Sequence, residues 1–288
     1  MTFKADGSKT ALAQVLKDYS AEVTAPDRKS LDAAADLMDP GSRVYIASLP
    51  TDTADRLVSA AKHLTDAGLV PVPHIVARNI ESLEALENLL KRLSSEAGVD
   101  RALVLGGDRD KPAGSLDCSL QIINSGLLEK YGITKIALGT YPEGHPRVAD
   151  EVLDQALLDK VQAARDHGLE CVLISQVCFD PEPVVRHIRR LRAMGIKERI
   201  RVGVAGPAKR TTLLKYAVIC GVGASMRALK ERQQLAKNLA SGETPEKILT
   251  ALSEAQAAEP SLNIWGIHFF TFAAFSGTIN FVKDMATC

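Results

Sequence analysis

Aromatic residues are scarce in this sequence. Phe, Trp and Tyr account for 5% of its 288 residues, and Trp occurs once. That leaves little for a stacking platform on which nucleic-acid bases could lie. Net charge is missing as well: 35 Lys and Arg balance 35 Asp and Glu. This removes the electrostatic case for nucleic acid or an anionic membrane surface as a partner. The five cysteines, Cys118, Cys171, Cys178, Cys220 and Cys288, form no CxxC and no zinc spacing. An odd, irregular set reads as reduced thiols in a cytosolic protein. No apolar run reaches the roughly 18 residues needed to span a bilayer. The opening MTFKADGSKTALAQ lacks the apolar core of a signal peptide. The expectation is a cytoplasmic protein with no membrane segment. Low-complexity stretches and linkers are absent too, as are HxH, HExxH and any cluster of three acids.

What is present is an ordinary globular composition, 46% hydrophobic and 24% charged, sufficient for a large core. Length alone allows one large domain or two small ones. Short apolar runs recur at 19–25, 43–48, 70–76, 101–107, 134–139, 170–175, 199–205 and 263–270. They are too short for most helices, and several are rich in Val and Ile, which favours strands. Between them, 53–68, 80–98, 151–168 and 181–195 carry apolar residues at three- and four-residue steps and end at Gly68, Gly98, Gly168 and Gly195, a common helix stop. The stretch from Pro207 to Leu262 is long for one crossover. It is expected to hold two or three helices, including TTLLKYAVICG and SMRALKERQQLAKNLASG. Strand and helix alternating eight times predict an α/β fold, a (β/α)8 TIM barrel forming a single catalytic domain over 1–288. A doubly wound open sheet is the alternative. It usually has fewer strands, and no GxGxxG follows the first run.

In such barrels the active site lies at the C-terminal ends of the strands. Nearly every run delivers a polar group there: Glu22, Ser48, His74, Gly107 and Asp108, Tyr141 with Glu143 and His145, Gln176, and Lys209. Each has a plainer reading. Glu22 is a surface acid if its strand is an edge, but a closed barrel has no edge and an unpaired buried carboxylate is costly. His74 could be a satisfied core histidine, Asp108 a turn former and Gln176 a cap. Gly206-Pro207-Ala208-Lys209 is either a phosphate cradle or a solvated loop. His74, Asp108 and His145 could bind zinc from three strands, which would suit a metal-dependent transferase or hydrolase.

Taken in order, these segments resemble the methylenetetrahydrofolate reductase family. GTYPEGHPRV is similar to that family's YPEGHPEA after strand five, the most specific match. Leu105-Gly106-Gly107-Asp108 resembles its LRGD, Ile174 to Asp180 its ITQFFFD, and Val72-Pro73-His74 its APH. Ser20-Ala21-Glu22 resembles the start of SFEFFPP, and Ile267 to Thr271 resembles HFYTLN. The resemblance implies reduction of 5,10-methylenetetrahydrofolate to 5-methyltetrahydrofolate, a step of one-carbon metabolism and methionine biosynthesis. NADH or NADPH would supply hydride, normally through FAD. It implies that Glu22 protonates N10 of the folate, a task for which a carboxyl needs its pKa raised. Asp108 would stabilise the iminium cation, and Gln176 would bond the pterin edge. Ser48, His74, Gly107, Asp108, Tyr141, His145, Asp154 and Lys160 are the implied flavin contacts. The chain departs from the pattern in several places. Gly106 replaces the Arg of LRGD, VTAPDR follows the acid, and FAA replaces LNR after strand eight. Ala208, Lys209 and Arg210 stand where an aromatic is expected after strand seven. Weakened FAD binding, or direct hydride transfer from nicotinamide to folate, is the corresponding expectation. A non-catalytic folate- or flavin-binding barrel is the other option. A tetrahydrofolate partner follows from the resemblance, and the oligomeric state, a homo-oligomer included, does not. The sequence shows no second domain after residue 288, so the regulatory S-adenosylmethionine-binding domain of larger relatives is not expected.

Overall fold

The computed structural model describes residues 11–220 and 244–287. Eight strands close into a barrel in sequence order: β1 (Ser20–Thr24), β2 (Arg43–Ala47), β3 (Val70–Val76), β4 (Arg101–Leu105), β5 (Lys135–Thr140), β6 (Glu170–Ser175), β7 (Ile200–Ala205) and β8 (Ile264–Phe270). Each falls within one of the eight apolar runs, except that β5 runs one residue past its own, and helices alternate with them, so the fold is the expected (β/α)8 barrel.

The four helices read from periodicity are present at Ala54–Asp66, Leu83–Ala97, Asp150–Asp166 and Pro181–Ala193. Their starts obey side-chain capping. Thr53 accepts from the Arg56 N–H, Ser82 from Ala85, and Asp180 from Glu182, each satisfying an orphan amide of the first turn. Pattern reading missed Arg28–Leu37, capped by Asp27, the short pair Ser119–Asn124 and Leu127–Lys130, and the helix Phe275–Thr287. The helix Glu246–Ala258 lies in the stretch from Pro207 to Leu262 expected to hold two or three. TTLLKYAVICG corresponds to the helix Arg210–Ile219. The helix expected at 225–242 lies outside the described residues.

The chain divides into two compact units. One comprises Ala21–Gly139 and Asp154–Leu173. Within it, β2, β3, β4 and β5 pair in parallel, with Ile46 opposite Pro73, His74 opposite Leu103, and Leu103 opposite Ala137. Its core is aliphatic, with Leu64, Leu86, Leu90, Leu93 and Ile122 fully buried.

The other unit holds Thr140–Leu153, Ile174–Cys288 and the N-terminal stretch through Ser20. At the N-terminal end of β7, Arg201 is completely buried. Its Nη2 donates to Asp18 Oδ2 at 3.0 Å and its Nη1 to the Asp18 carbonyl. The guanidinium also lies over the Trp265 ring, 4.2 Å from its centroid. Gly266, opposite Arg201 in the ladder, leaves the space this arrangement needs. A Cβ there would stand 2.9 Å from the Asp18 carbonyl oxygen and 3.1 Å from Arg201 Nη1. Gly266→Ala should therefore lower stability by about 1–3 kcal/mol, the usual cost of overpacking a tight core. In urea denaturation this appears as a lower midpoint at unchanged slope; an unchanged midpoint refutes it.

Candidate active site

In the first unit, β1 and β3 bring an acid and an imidazole together. Oε2 of Glu22 lies 3.5 Å from Nε2 of His74, within ion-pair range but long for a direct hydrogen bond. The Glu22 side chain is 21% exposed and that of His74 8%. The acid therefore reaches solvent or a ligand while the imidazole behind it stays enclosed. The His74 ring stands edge-on to buried Tyr45 of β2, centroids 6.3 Å apart. Ser48 follows β2 and is half-buried.

Asp108 is exposed in the connection after β4. The chain reaches it through Gly107, whose φ of 102° suits glycine alone and whose Cβ would stand 2.5 Å from Val76 Cγ1. Asp154 and Lys160 lie on the helix Asp150–Asp166. Burial lowers the pKa of Lys160, opposed by the charges of Cys118 and Cys171. Cys171 is the second residue of β6, at the opposite end of that strand from Gln176.

In the second unit, TYPEGHP is a turn held by its own side chains. Gly144 N–H donates to the Tyr141 carbonyl at 3.1 Å, closing a β-turn with Pro142 at its second position. The rings of Tyr141 and His145 meet edge-on at 5.3 Å. His145 Nδ1 accepts from the Arg147 N–H at 3.2 Å. Behind the turn, the buried hydroxyl of Thr140 is bonded to His187 Nε2. The Thr140 carbonyl accepts from the Gln176 N–H at 2.8 Å. Gln176 Oε1 accepts from the Val177 N–H at 2.8 Å, which fixes the carboxamide. The Cys178 thiol, buried and 3.2 Å from the Gln176 carbonyl, has its pKa pushed up by burial and by the negative charge of Glu143. Glu143 thus exerts its charge on a buried thiol.

On β8, His268 Nδ1 is 3.0 Å from Ser20 Oγ, both side chains fully buried. The His268 ring is edge-on to Phe270 at 5.0 Å. Phe270 leads to Phe272, which stacks on Tyr216 at 4.0 Å and 15°. Phe272 and the next residue, Ala273, both have positive φ, 44° and 64°, a strained backbone at the end of a barrel strand. Sequence reading looked for an aromatic at 208–210. The aromatic on this helix is Tyr216, farther along, where it stacks on Phe272, a contact that nothing in the local pattern signals. A Cβ on Gly206 would meet Thr278 Oγ1 at 2.1 Å, so packing against the helix Phe275–Thr287 accounts for this glycine. No group of three or more His, Cys, Asp and Glu that could hold a metal ion forms among the described residues.

A (β/α)8 barrel that carries an acid–imidazole pair and polar loops at its strand ends has the layout of a barrel enzyme. The sequence pattern that defines methylenetetrahydrofolate reductase matches residues 17–275, and the chain belongs to that family. Among solved structures it is similar to an uncharacterized protein from Clostridium thermocellum that binds two copies of 5-methyl-5,6,7,8-tetrahydrofolic acid. That similarity has a TM-score of 0.60 and 13% identity, over 95% of this chain and 98% of the other. It is also similar to 2,3-dimethylmalate lyase, a PEP mutase/isocitrate lyase superfamily member, at TM-score 0.52 and 12% identity, over 96% and 84% of the two chains. At these identities the likenesses concern the fold. Among the described residues no helix is long and apolar enough to cross a membrane.

His187 connects the site to acid stability. Burial and the nearby Arg190 guanidinium lower its pKa from 6.5 to about 4. The unfolded chain therefore takes up this proton before the folded one does. Stability should be complete above pH 6.5 and decline toward pH 4, on the order of 3 kcal/mol in all. His187→Gln should remove up to one proton from the slope of unfolding free energy against pH in that window. An identical slope in the variant contradicts this.

Proposed function

We propose that the chain reduces 5,10-methylenetetrahydrofolate to 5-methyltetrahydrofolate with hydride from NADH or NADPH. The observation that carries this reading is the Glu22–His74 pair, a partly exposed acid backed by an enclosed imidazole, in a chain of this family.

In this reading Glu22 gives its proton to N10 of the folate. The N10–methylene bond breaks, its electron pair stays on N10, and a cationic N5 iminium remains. Hydride from C4 of the dihydronicotinamide adds to the methylene carbon. The nicotinamide leaves oxidised, and the folate carries an N5-methyl group. Glu22 is left as a carboxylate, and His74, 3.5 Å away, is placed to return a proton. Asp108 stabilises the iminium by its charge, and Gln176, its carboxamide oriented by Val177, bonds the pterin edge.

The residues expected to hold FAD fit it poorly. A tightly held dinucleotide needs donors or cations for its diphosphate. Lys160 is the one cation in the expected set, and burial disfavours its charge. The helix after TYPEGHP opens on Asp150 and Glu151, which repel a phosphate. Tyr141 and His145 are engaged with each other, and His74 with Glu22. A co-substrate that binds and leaves has no need of such a cradle, so the reading takes hydride directly from nicotinamide to folate.

The test is oxidation of NADH and of NADPH with 5,10-methylenetetrahydrofolate, with and without added FAD. Turnover without flavin is expected. Visible flavin absorbance in the purified protein sinks the flavin-free form, and folate binding without any turnover turns the reading into a binding protein. Glu22→Gln should lower kcat about 10²- to 10⁴-fold, the range for losing a general acid, while calorimetric affinity for 5-methyltetrahydrofolate stays within about threefold. Undiminished turnover in this variant assigns the acid elsewhere.

A further inference from the structure

The connection between β4 and the helix at Ser119 carries Asp108 through a dozen residues without regular structure, and long irregular loops of this kind are commonly functional or mobile. Five of its hydrogen bonds go to a single residue at the end of β3, Arg78. The Arg78 N–H donates to the Gly106 carbonyl at 2.9 Å, and its carbonyl accepts from Ala113 at 3.0 Å. The side chain adds three bonds. Nε reaches the Asp117 carbonyl at 3.0 Å, and Nη1 reaches those of Arg109 at 2.9 Å and Asp110 at 3.1 Å. Arg78 therefore grips the loop before Asp108, just after it and at its far end.

Packing completes the hold. Gly114 passes so close to β3's exit that a Cβ would stand 2.0 Å from the Glu81 carbonyl oxygen. The loop's end is fixed separately, with Asp117 and Cys118 amides donating to Gln121 Oε1 at 2.8 and 3.2 Å. Every acceptor of the guanidinium is a backbone carbonyl, and at Asp110 and Asp117 it takes the main-chain oxygen rather than the carboxylate. Such a contact set does nothing for surface charge pairing and specifies a loop conformation. A guanidinium fork can serve three carbonyls in two directions at once; an ammonium on a flexible stem cannot hold that geometry.

We infer that Arg78 is a positioning residue: by binding the carbonyls of Arg109, Asp110 and Asp117 it fixes the loop that presents Asp108 to the substrate. The inference rests on the reductase reading for what Asp108 does, and on geometry alone for what Arg78 does to the loop.

Two measurements separate these. Hydrogen exchange of the ligand-free protein reads the loop. In Arg78→Ala, amides of 107–117 should exchange at least about tenfold faster while those of β3 and β4 keep their protection. Unchanged loop exchange overturns the inference whatever the enzyme does. Turnover of 5,10-methylenetetrahydrofolate reads the consequence. Arg78→Ala should lower kcat roughly 10- to 100-fold in the wild-type background and less than about twofold in Asp108→Asn, because the two act as one unit. Arg78→Lys should recover only part of the loss. An equal loss in both backgrounds means that Arg78 serves general stability, and the inference fails. Absence of turnover in the wild type with either nicotinamide overturns the reductase reading, and the exchange result still decides whether Arg78 orders the loop.

Discussion

A guanidinium with no exposure to water sets the terms for one end of the barrel. Arg201 cannot shed its proton, so its charge must be met where it lies. The carboxylate and carbonyl of Asp18 meet it, with the Trp265 face alongside. Removing one member of such a group leaves the others desolvated and unpaired, which is far more costly than never having built it. The arrangement in turn demands a residue without a side chain at position 266. The segment just before β1 is thereby held against β7 and β8.

With the N-terminal strand ends given to structure, the opposite ends are available for chemistry. There the side chains are of a different kind. Several of them reach solvent, and those beyond the strands sit in turns stiffened by proline or by side-chain bonds. Glu22 and His74 face each other from strands that are not neighbours. Tyr141 and His145 fold onto each other within one turn. Asp108 stands exposed on a loop that Arg78 holds. This is the division of labour that (β/α)8 barrels use generally.

Much of this could be read from the chain. The eight strands follow from eight apolar runs, because a strand buried on both faces must be apolar at nearly every position. TYPEGHP marked itself by clustering an aromatic, an acid and a histidine between prolines, and the turn is real. Other features had no local signal. The helix Arg28–Leu37 has a cap and a helical period, but it is short, and a charged DRK start masks it. His74 looked equally like a core histidine or a cofactor contact, and the partner that decides its character, Glu22, lies 52 residues away. Arg78 carries no signal in the chain, since the backbone carbonyls it binds leave no trace in sequence.

The sequence by itself determined the strand count, four of the helices and the polar residues that follow the strands. These are set by period, by capping and by burial, all local properties. The tertiary structure alone decided the pairings: which imidazole backs the acid, which arginine holds the Asp108 loop, and which ring stacks on Phe272. Such contacts depend on distances between segments far apart in the chain, and a one-dimensional pattern carries no record of those distances.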